Sequence, residues 1–508
     1  MRLDRLIVEA IIRQWNLLIA GAVKAERNQA ELKMKLITQV VIEAKEVTLE
    51  VEVANAGYSP AHQAILEILP DENYKIITGR KRMPTLQPGQ VTRLQFLVQP
   101  LVKQTFSPCF SLCYEDKSGI DKIYEFRDSI KLLSTERPFT EIPNPYVPGG
   151  TLGPDSQVFI GREEMLSFIE RAIGHSGMNA LVLTGRRRMG KTSLVNQLPP
   201  RLNETCVPVY LDCQGLGFDP GMSHFLYDIA LEIADTLDLS APSWEAFAVR
   251  PHDVFERDFL PQVLAAAGRR RLLLLLDEYE ELEARVDRGK LPVELFAYLR
   301  HLMLHLDSLS LIFVGTHQLS ELNPDYWSTL LNVPLHRRVS FLTPAEARKL
   351  IVDPVNPHLV YEDLAVNRII RLTGGYPYFL QLLCYTLVAE ANRTRQTYIT
   401  LANVNQILDQ MLEGGQGVLT DLWERTGLAE SEKRLLSAAA HLSVVEQVIT
   451  SAGLIRQMKA AGQPISKERL ADILTKLEER EILRAVKGIE DCYEFVLELL
   501  KLWLIRNT

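Results

Sequence analysis

The spacing of apolar positions changes several times along the chain. Between Leu6 and Ala20 the apolar residues are broken by Glu9 and Arg13, so residues 1–35 predict an amphipathic helix packed on its own protein or on a partner. From about Leu36 the period becomes two. Val47, Leu49, Val51 and Val53 alternate with Thr48, Glu50 and Glu52, as in a half-buried strand. Further strands are expected at 64–68, 92–98, 109–114 and 123–126, with turns at Asn55-Ala56-Gly57 and Gln87-Pro88-Gly89. Short strands separated by turns predict an all-β sandwich over 36–133. It loosely resembles the immunoglobulin-like modules of bacterial multidomain proteins.

Residues 134–157 carry Pro138, Pro143, Pro145, Pro148 and Pro154 and read as an extended hinge. Beyond it, fully apolar runs at 180–183, 272–276 and 311–314 alternate with helical stretches. That alternation predicts an α/β core with a parallel sheet over 158–345. Residues 346–427 read as helical, a lid. Residues 428–508 read as three helices, a hairpin and a last helix, the order of a winged helix-turn-helix.

A chain of 508 residues leaves room for about three domains at roughly 150 residues each. The net charge of −8 argues against nucleic acid as the dominant partner. No pair among the six cysteines has CxxC spacing, and so few thiols suit a reducing cytoplasm. Cys109 and Cys113, four apart on a strand, are expected on one face as small core residues. No apolar run is long enough to span a bilayer, and the N-terminus lacks the arrangement of a signal peptide. Membrane-surface contact is disfavoured, because the polar face of the first helix is not rich in Lys or Arg.

The densest chemistry lies after the apolar run at 180–184. Gly185-Arg186-Arg187-Arg188-Met189-Gly190-Lys191-Thr192 fits GxxxxGK[ST], between a strand and a helix that Ser193 continues. The glycines allow backbone N–H groups to face phosphates, and the helix N-terminus adds positive potential. Lys191 is placed to reach the β- and γ-phosphates of ATP, and Thr192 to offer its hydroxyl to Mg²⁺. The strand 271–276 ends in Asp277-Glu278. Asp277 is expected to hold Mg²⁺ through water and Glu278 to polarise the attacking water. A pure nucleotide binder has no need of Glu278.

Three flanking segments narrow the family. They are Asn144-Pro145-Tyr146, Phe159-Ile160-Gly161-Arg162-Glu163 and Gly374-Gly375-Tyr376-Pro377. With the phosphate loop they resemble the STAND class of AAA+-related ATPases, in particular the prokaryotic archaeal-type ATPases, over about residues 144–508. That resemblance implies that Phe159, Ile160, Gly161 and Arg162, with Tyr376 and Pro377, form the base and sugar side. It puts Thr316 or His317 where a γ-phosphate sensor lies, with a plain strand-end turn as the alternative. Arg337 or Arg338 would be an arginine finger or a solvated basic pair. Arg186 to Arg188 could meet phosphate or neighbouring acids and are otherwise solvated.

The class also implies ATP-driven homo-oligomerisation on activation. A nucleotide-dependent switch in signalling or defence is therefore expected, with the β-sandwich sensing a ligand or recruiting a protein. The alternative is a DNA-associated AAA+ factor for replication or transposition. The helix from Lys467 carries mixed charge, which favours packing of the winged helix on the ATPase over reading a DNA groove.

Overall fold

The alternating pattern after residue 30 does become strand. In the computed structural model, residues 29–117, 121–175, 179–216, 220–316, 335–424, 428–445, 449–486, 489 and 491–507 are described. The N-terminal helix expected over 1–35 falls largely on residues 1–28, outside the described residues, and strand β1 (Leu32–Leu36) opens ahead of residue 36. Ten more strands follow. They are β2 (Val40–Ile42), β3 (Val47–Asn55), β4 (His62–Ile68), β5 (Tyr74–Ile76), β6 (Arg80–Arg82), β7 (Val91–Pro100), β8 (Thr105–Phe106), β9 (Cys109–Glu115), β10 (Asp121–Arg127) and β11 (Ile130–Leu133).

Two antiparallel sheets, β1-β3-β7-β5 and β10-β9-β4-β6, share one core, and β2-β11-β8 forms a small third sheet. Leu49, Val51 and Val53 of β3 and Phe96 and Val98 of β7 meet Leu66 and Ile68 of β4 and Phe110 and Leu112 of β9. The Phe96 and Phe110 rings lie edge to face at 5.3 Å, a favoured aromatic arrangement. Beside them the turn is fixed by Asn55, which is 1% exposed. Its amide nitrogen donates to the carbonyls of Ser59 and Leu86, each at 2.9 Å. Gly57 follows because a Cβ there would come within 2.4 Å of the Glu31 nitrogen.

The second architecture is a parallel five-stranded sheet of β12 (Ala180–Thr184), β13 (Cys206–Asp212), β14 (Arg271–Asp277), β15 (Leu309–Gly315) and β16 (Leu335–Arg338), in the order β13-β14-β15-β12-β16. Strands β12, β14 and β15 are almost wholly buried, as their unbroken apolar runs require. The helices used below are α1 (Glu163–Ile169), α2 (Lys191–Val195), α3 (Glu280–Asp287), α4 (Pro344–Val352), α5 (Asp363–Thr373) and α6 (Pro377–Thr394). A two-stranded parallel pair, β17 (Val360–Tyr361) with β18 (Tyr398–Ile399), interrupts the helices.

The C-terminal region runs α7 (Glu430–Val445), β19 (Ile449–Thr450), α8 (Ser451–Ala460), α9 (Lys467–Glu479), β20 (Leu483–Ala485), β21 (Cys492–Phe495) and α10 (Glu498–Asn507). Ser466 caps α9 by accepting the Arg469 N–H at 3.2 Å. The strand pair β20–β21 is the expected hairpin, and β19 adds a third strand on β21. Among the described residues no helix is long and apolar enough to cross a membrane. All six cysteines are free thiols.

Compactness divides the chain into two units. One contains residues 1–144, 355–374 and 386–508, and the other 145–354 and 375–385. In the first unit, Asp363 at the start of α5 accepts the backbone N–H of Gln39 at 2.8 Å and of Val40 at 2.7 Å. Asn392 of α6 exchanges two hydrogen bonds with the Ile142 backbone, at 3.0 and 2.8 Å. The β-strand region and the helices after 355 are thus fastened by side chains that capture backbone. The second unit holds the candidate site.

Candidate nucleotide site

Strand β12 lies between β15 and β16 in its sheet, and the phosphate-loop sequence leaves its C-terminal end. The Gly185 N–H donates to the Gly315 carbonyl at 3.1 Å. A Cβ on Gly185 would stand 2.4 Å from the Val339 carbonyl oxygen, so the loop can begin only with glycine. Gly190, at φ 84°, turns the chain into α2. Lys191 is 5% exposed. Its Nζ donates to the carbonyls of Gly185 at 3.0 Å and Arg186 at 3.2 Å. Burial lowers its pKa, while Glu278, Glu280 and Asp277 oppose that shift.

The neighbouring side chain crosses to β14. Thr192 Oγ1 donates to Asp277 Oδ2 at 2.6 Å, and Tyr210 of β13 donates to the same oxygen at 2.8 Å. Asp277 Oδ1 accepts the Glu278 N–H at 3.0 Å. Thr192 and Asp277, far apart in sequence, are therefore brought into contact. Two hard oxygens are the sparse protein share with which Mg²⁺ is usually held beside phosphates, so this pair fits that ion.

Glu278 adopts φ 52°, a left-handed conformation uncommon outside glycine, and its side chain lines the cleft. Burial first, then the Glu280 carboxylate, push it up to about 7, against the pull of Lys191. Glu280 Oε1 also accepts the Thr316 N–H at 2.9 Å.

The cleft beside these groups has a volume of about 220 Å³. Its end at the glycine-rich loop is formed by Arg188, Met189, Gly190, Lys191, Thr192 and Ser193. Its apolar end is formed by Val158, Phe159, Ile160, Leu342, Leu350 and Pro377. Arg162 lines it as well, with Nη2 donating to the Met189 carbonyl at 3.3 Å and the backbone N–H donating to Glu346 Oε1 at 3.1 Å. Gly161, at φ 82°, supports this turn from outside the lining, since a Cβ would lie 2.7 Å from Glu346 Oε1.

Other expected residues lie elsewhere. Tyr376 is fully buried and does not line the cleft. Its hydroxyl donates to the Arg187 carbonyl, and the next two residues, Pro377 and Tyr378, form the wall instead. Gly185, Arg186 and Arg187 also lie outside the lining. The Arg186 guanidinium is 5.9 Å from the Phe341 ring centre, and that of Arg188 is 5.0 Å from the Tyr378 ring centre. Thr316 stands at the end of β15 behind Glu280, and His317 is outside the described residues. Arg338 ends the edge strand β16, and Arg337 stacks over Phe168 of α1 at 4.1 Å.

Sequence reasoning missed Tyr210, Glu280, Glu346 and the segment 147–152. That segment, read as hinge, lines the cleft through Val147, Gly149, Gly150, Thr151 and Leu152. It is pinned by the Leu152 N–H on Ser193 Oγ at 3.0 Å and by the Val147 N–H on Gln381 Oε1 at 3.1 Å. Proline and glycine spacing signals an extended segment but not where it lies. The lone hydroxyl of Tyr210 in an otherwise apolar strand, two residues ahead of the acidic strand end, was a usable sign.

Residues 174–322 match the family model described as an AAA domain. No curated protein matches the chain. Among solved structures the chain is similar to a Walker-type ATPase of Pyrococcus abyssi, with 15% identity over 70% of this chain and 98% of that one, at a TM-score of 0.47. It is also similar to Cdc6p from Pyrobaculum aerophilum, with 17% identity over 73% and 100% of the chains and a TM-score of 0.38. The ORC2 protein of Aeropyrum pernix gives 14% identity over 71% and 95%, with a TM-score of 0.37. The phosphate loop on β12, the acidic end of β14 and the match over 174–322 together identify the central α/β region of this chain as an AAA-type P-loop domain.

Proposed function

We propose that the chain binds ATP with Mg²⁺ in the cleft of the AAA-type domain, hydrolyses it, and uses the nucleotide state to rearrange its domains. The observation that carries this is the Thr192–Asp277 contact, with Lys191 and Glu278 beside it. Lys191 turns from its loop carbonyls to the phosphate oxygens, and Arg162 and Ser193 flank the same end of the cleft. Glu278 takes the proton of the attacking water. Thr192 and Asp277 would hold Mg²⁺, which would supply charge neutralisation at the phosphates. Lys191→Ala is expected to abolish binding of a fluorescent ATP analogue in a direct titration. Unchanged affinity would disprove the assignment.

For the output, the C-terminal module favours DNA over signalling or defence. The order α7-β19-α8-α9-β20-β21 places α9 second in a helix-turn-helix pair, the position that enters the major groove in such modules. Arg469 and Lys476 of α9 both reach the buried Glu432, at 3.3 and 3.2 Å, so few basic groups of α9 remain for phosphate. Binding should therefore be modest and only weakly salt-dependent. A gel shift with duplex DNA across a salt series tests this, and no shift even at low salt would exclude it.

A further inference from the structure

The carboxylate that ends β14 is gripped from the outer strand of the sheet. Strand β13 stands at the end of the sheet order and runs parallel to β14, with Asp212 in register with Asp277. Val207, Val209 and Leu211 turn into the core, which puts Tyr210 on the other face of the strand. From that face the phenol donates to Asp277 Oδ2 at 2.8 Å. Thr192 Oγ1 donates to the same oxygen at 2.6 Å, and Asp277 Oδ1 accepts the Glu278 N–H at 3.0 Å. Tyr210 is 40% exposed and lies outside the lining of the cleft, so it reaches the site through Asp277.

We propose that Tyr210 is a positioning residue for the metal, a donor on β13 that fixes the Asp277 carboxylate of β14 for Mg²⁺. This rests on the binding of ATP with Mg²⁺ proposed above. Two hydroxyls share Asp277 Oδ2, and they differ in what a metal asks of them. The Thr192 hydroxyl is itself a ligand to the ion, so its oxygen turns to the metal. The Tyr210 hydroxyl has no such second duty and stays on the carboxylate. A phenol is also a neutral donor at ordinary pH, so it orients the carboxylate without cancelling the charge that attracts the cation. Carboxylates that hold metals are commonly fixed by such partners, whose removal costs about 10- to 100-fold in metal affinity. Phenylalanine keeps the half-exposed ring and removes only the hydroxyl, so Tyr210→Phe isolates the hydrogen bond.

Mn²⁺, standing in for Mg²⁺, is titrated into the full chain loaded with a non-hydrolysable ATP analogue, for wild type, Asp277→Asn and Tyr210→Phe. Bound metal is read from the loss of the free-ion electron paramagnetic resonance signal. Binding of a fluorescent ATP analogue in EDTA is measured beside it. Tyr210→Phe is expected to weaken Mn²⁺ binding about tenfold or more, with analogue affinity in EDTA equal to that of wild type. Wild-type Mn²⁺ affinity in Tyr210→Phe overturns the positioning role and leaves the metal site in place. So does weaker analogue binding by Tyr210→Phe in EDTA, because a loss without metal makes the residue merely structural. If wild type and Asp277→Asn bind Mn²⁺ equally, the assignment of Asp277 to the metal fails and the role of Tyr210 fails with it.

Discussion

Glu278 carries the sharpest consequence of a single side chain's surroundings. Burial and the Glu280 carboxylate raise it to about 7, and a proton-accepting group works only when ionised. The expected outcome is an ATPase rate that rises with pH through about 7 and levels off above it, with no such limb in Glu278→Gln. A stopped or coupled assay across pH 5.5 to 8.5 tests this. Stability should move the other way. The folded state holds this proton more tightly than the unfolded chain does. The group's contribution is therefore fully present below the ordinary carboxylate range and is lost as pH rises toward about 7. Thr192, Tyr210 and the Glu278 N–H all converge on Asp277.

At the scale of elements, the first unit depends on side chains that grip backbone. Asp363→Ala would strip the Gln39 and Val40 N–H groups of their acceptor. A loss of about 1–3 kcal/mol in urea unfolding is expected, while Asp363→Asn, which keeps an acceptor, should lose less. No pattern in the sequence announces this contact, because its partners lie 324 and 323 residues apart. What was legible followed from local periodicity. The alternation of β3 and β7, the apolar runs of β12, β14 and β15, and the cap at Ser466 each follow from neighbours in sequence. The short strands β2, β5, β6, β8 and β19 exist through their partners and gave no run long enough to read. The same division holds in the site. The phosphate loop and Asp277-Glu278 were visible as motifs. Glu280, Glu346 and the segment 147–152 are recruited through tertiary contacts. The family resemblance implies a base-side place for Tyr376, yet its ring packs inward against Phe341 and Phe379.

At the scale of the whole molecule, the two units are interleaved in sequence. The AAA-type unit takes residues 145–354 and then 375–385, with a stretch of the other unit between. Its second piece supplies Tyr376 for the loop carbonyl at 187, Pro377 and Tyr378 for the cleft wall, and Gln381 for the Val147 N–H. The Leu342 N–H is also bonded to the Gly375 carbonyl at 2.9 Å. A chain ending at Pro354 keeps every residue of the phosphate loop and of β12 to β16 but lacks this closing piece. It is expected to bind a fluorescent ATP analogue at least about tenfold more weakly, a loss of about 1.4 kcal/mol or more. Limited proteolysis should also cut it readily near residues 147–152. Full resistance there would show that the second piece is dispensable.

That interleaving also sets an order of events on the ribosome. The β-sandwich can close its own core early, since all of that core lies between residues 30 and 132. The AAA-type unit must wait, with its sheet formed and one wall missing, until residue 385 has left the exit tunnel. The first unit waits longer still, because its last helix ends at Asn507. During synthesis the chain therefore carries an unfinished nucleotide cleft from the end of β16 at Arg338 until residue 385, and an early-bound nucleotide could serve as the template on which that cleft is completed.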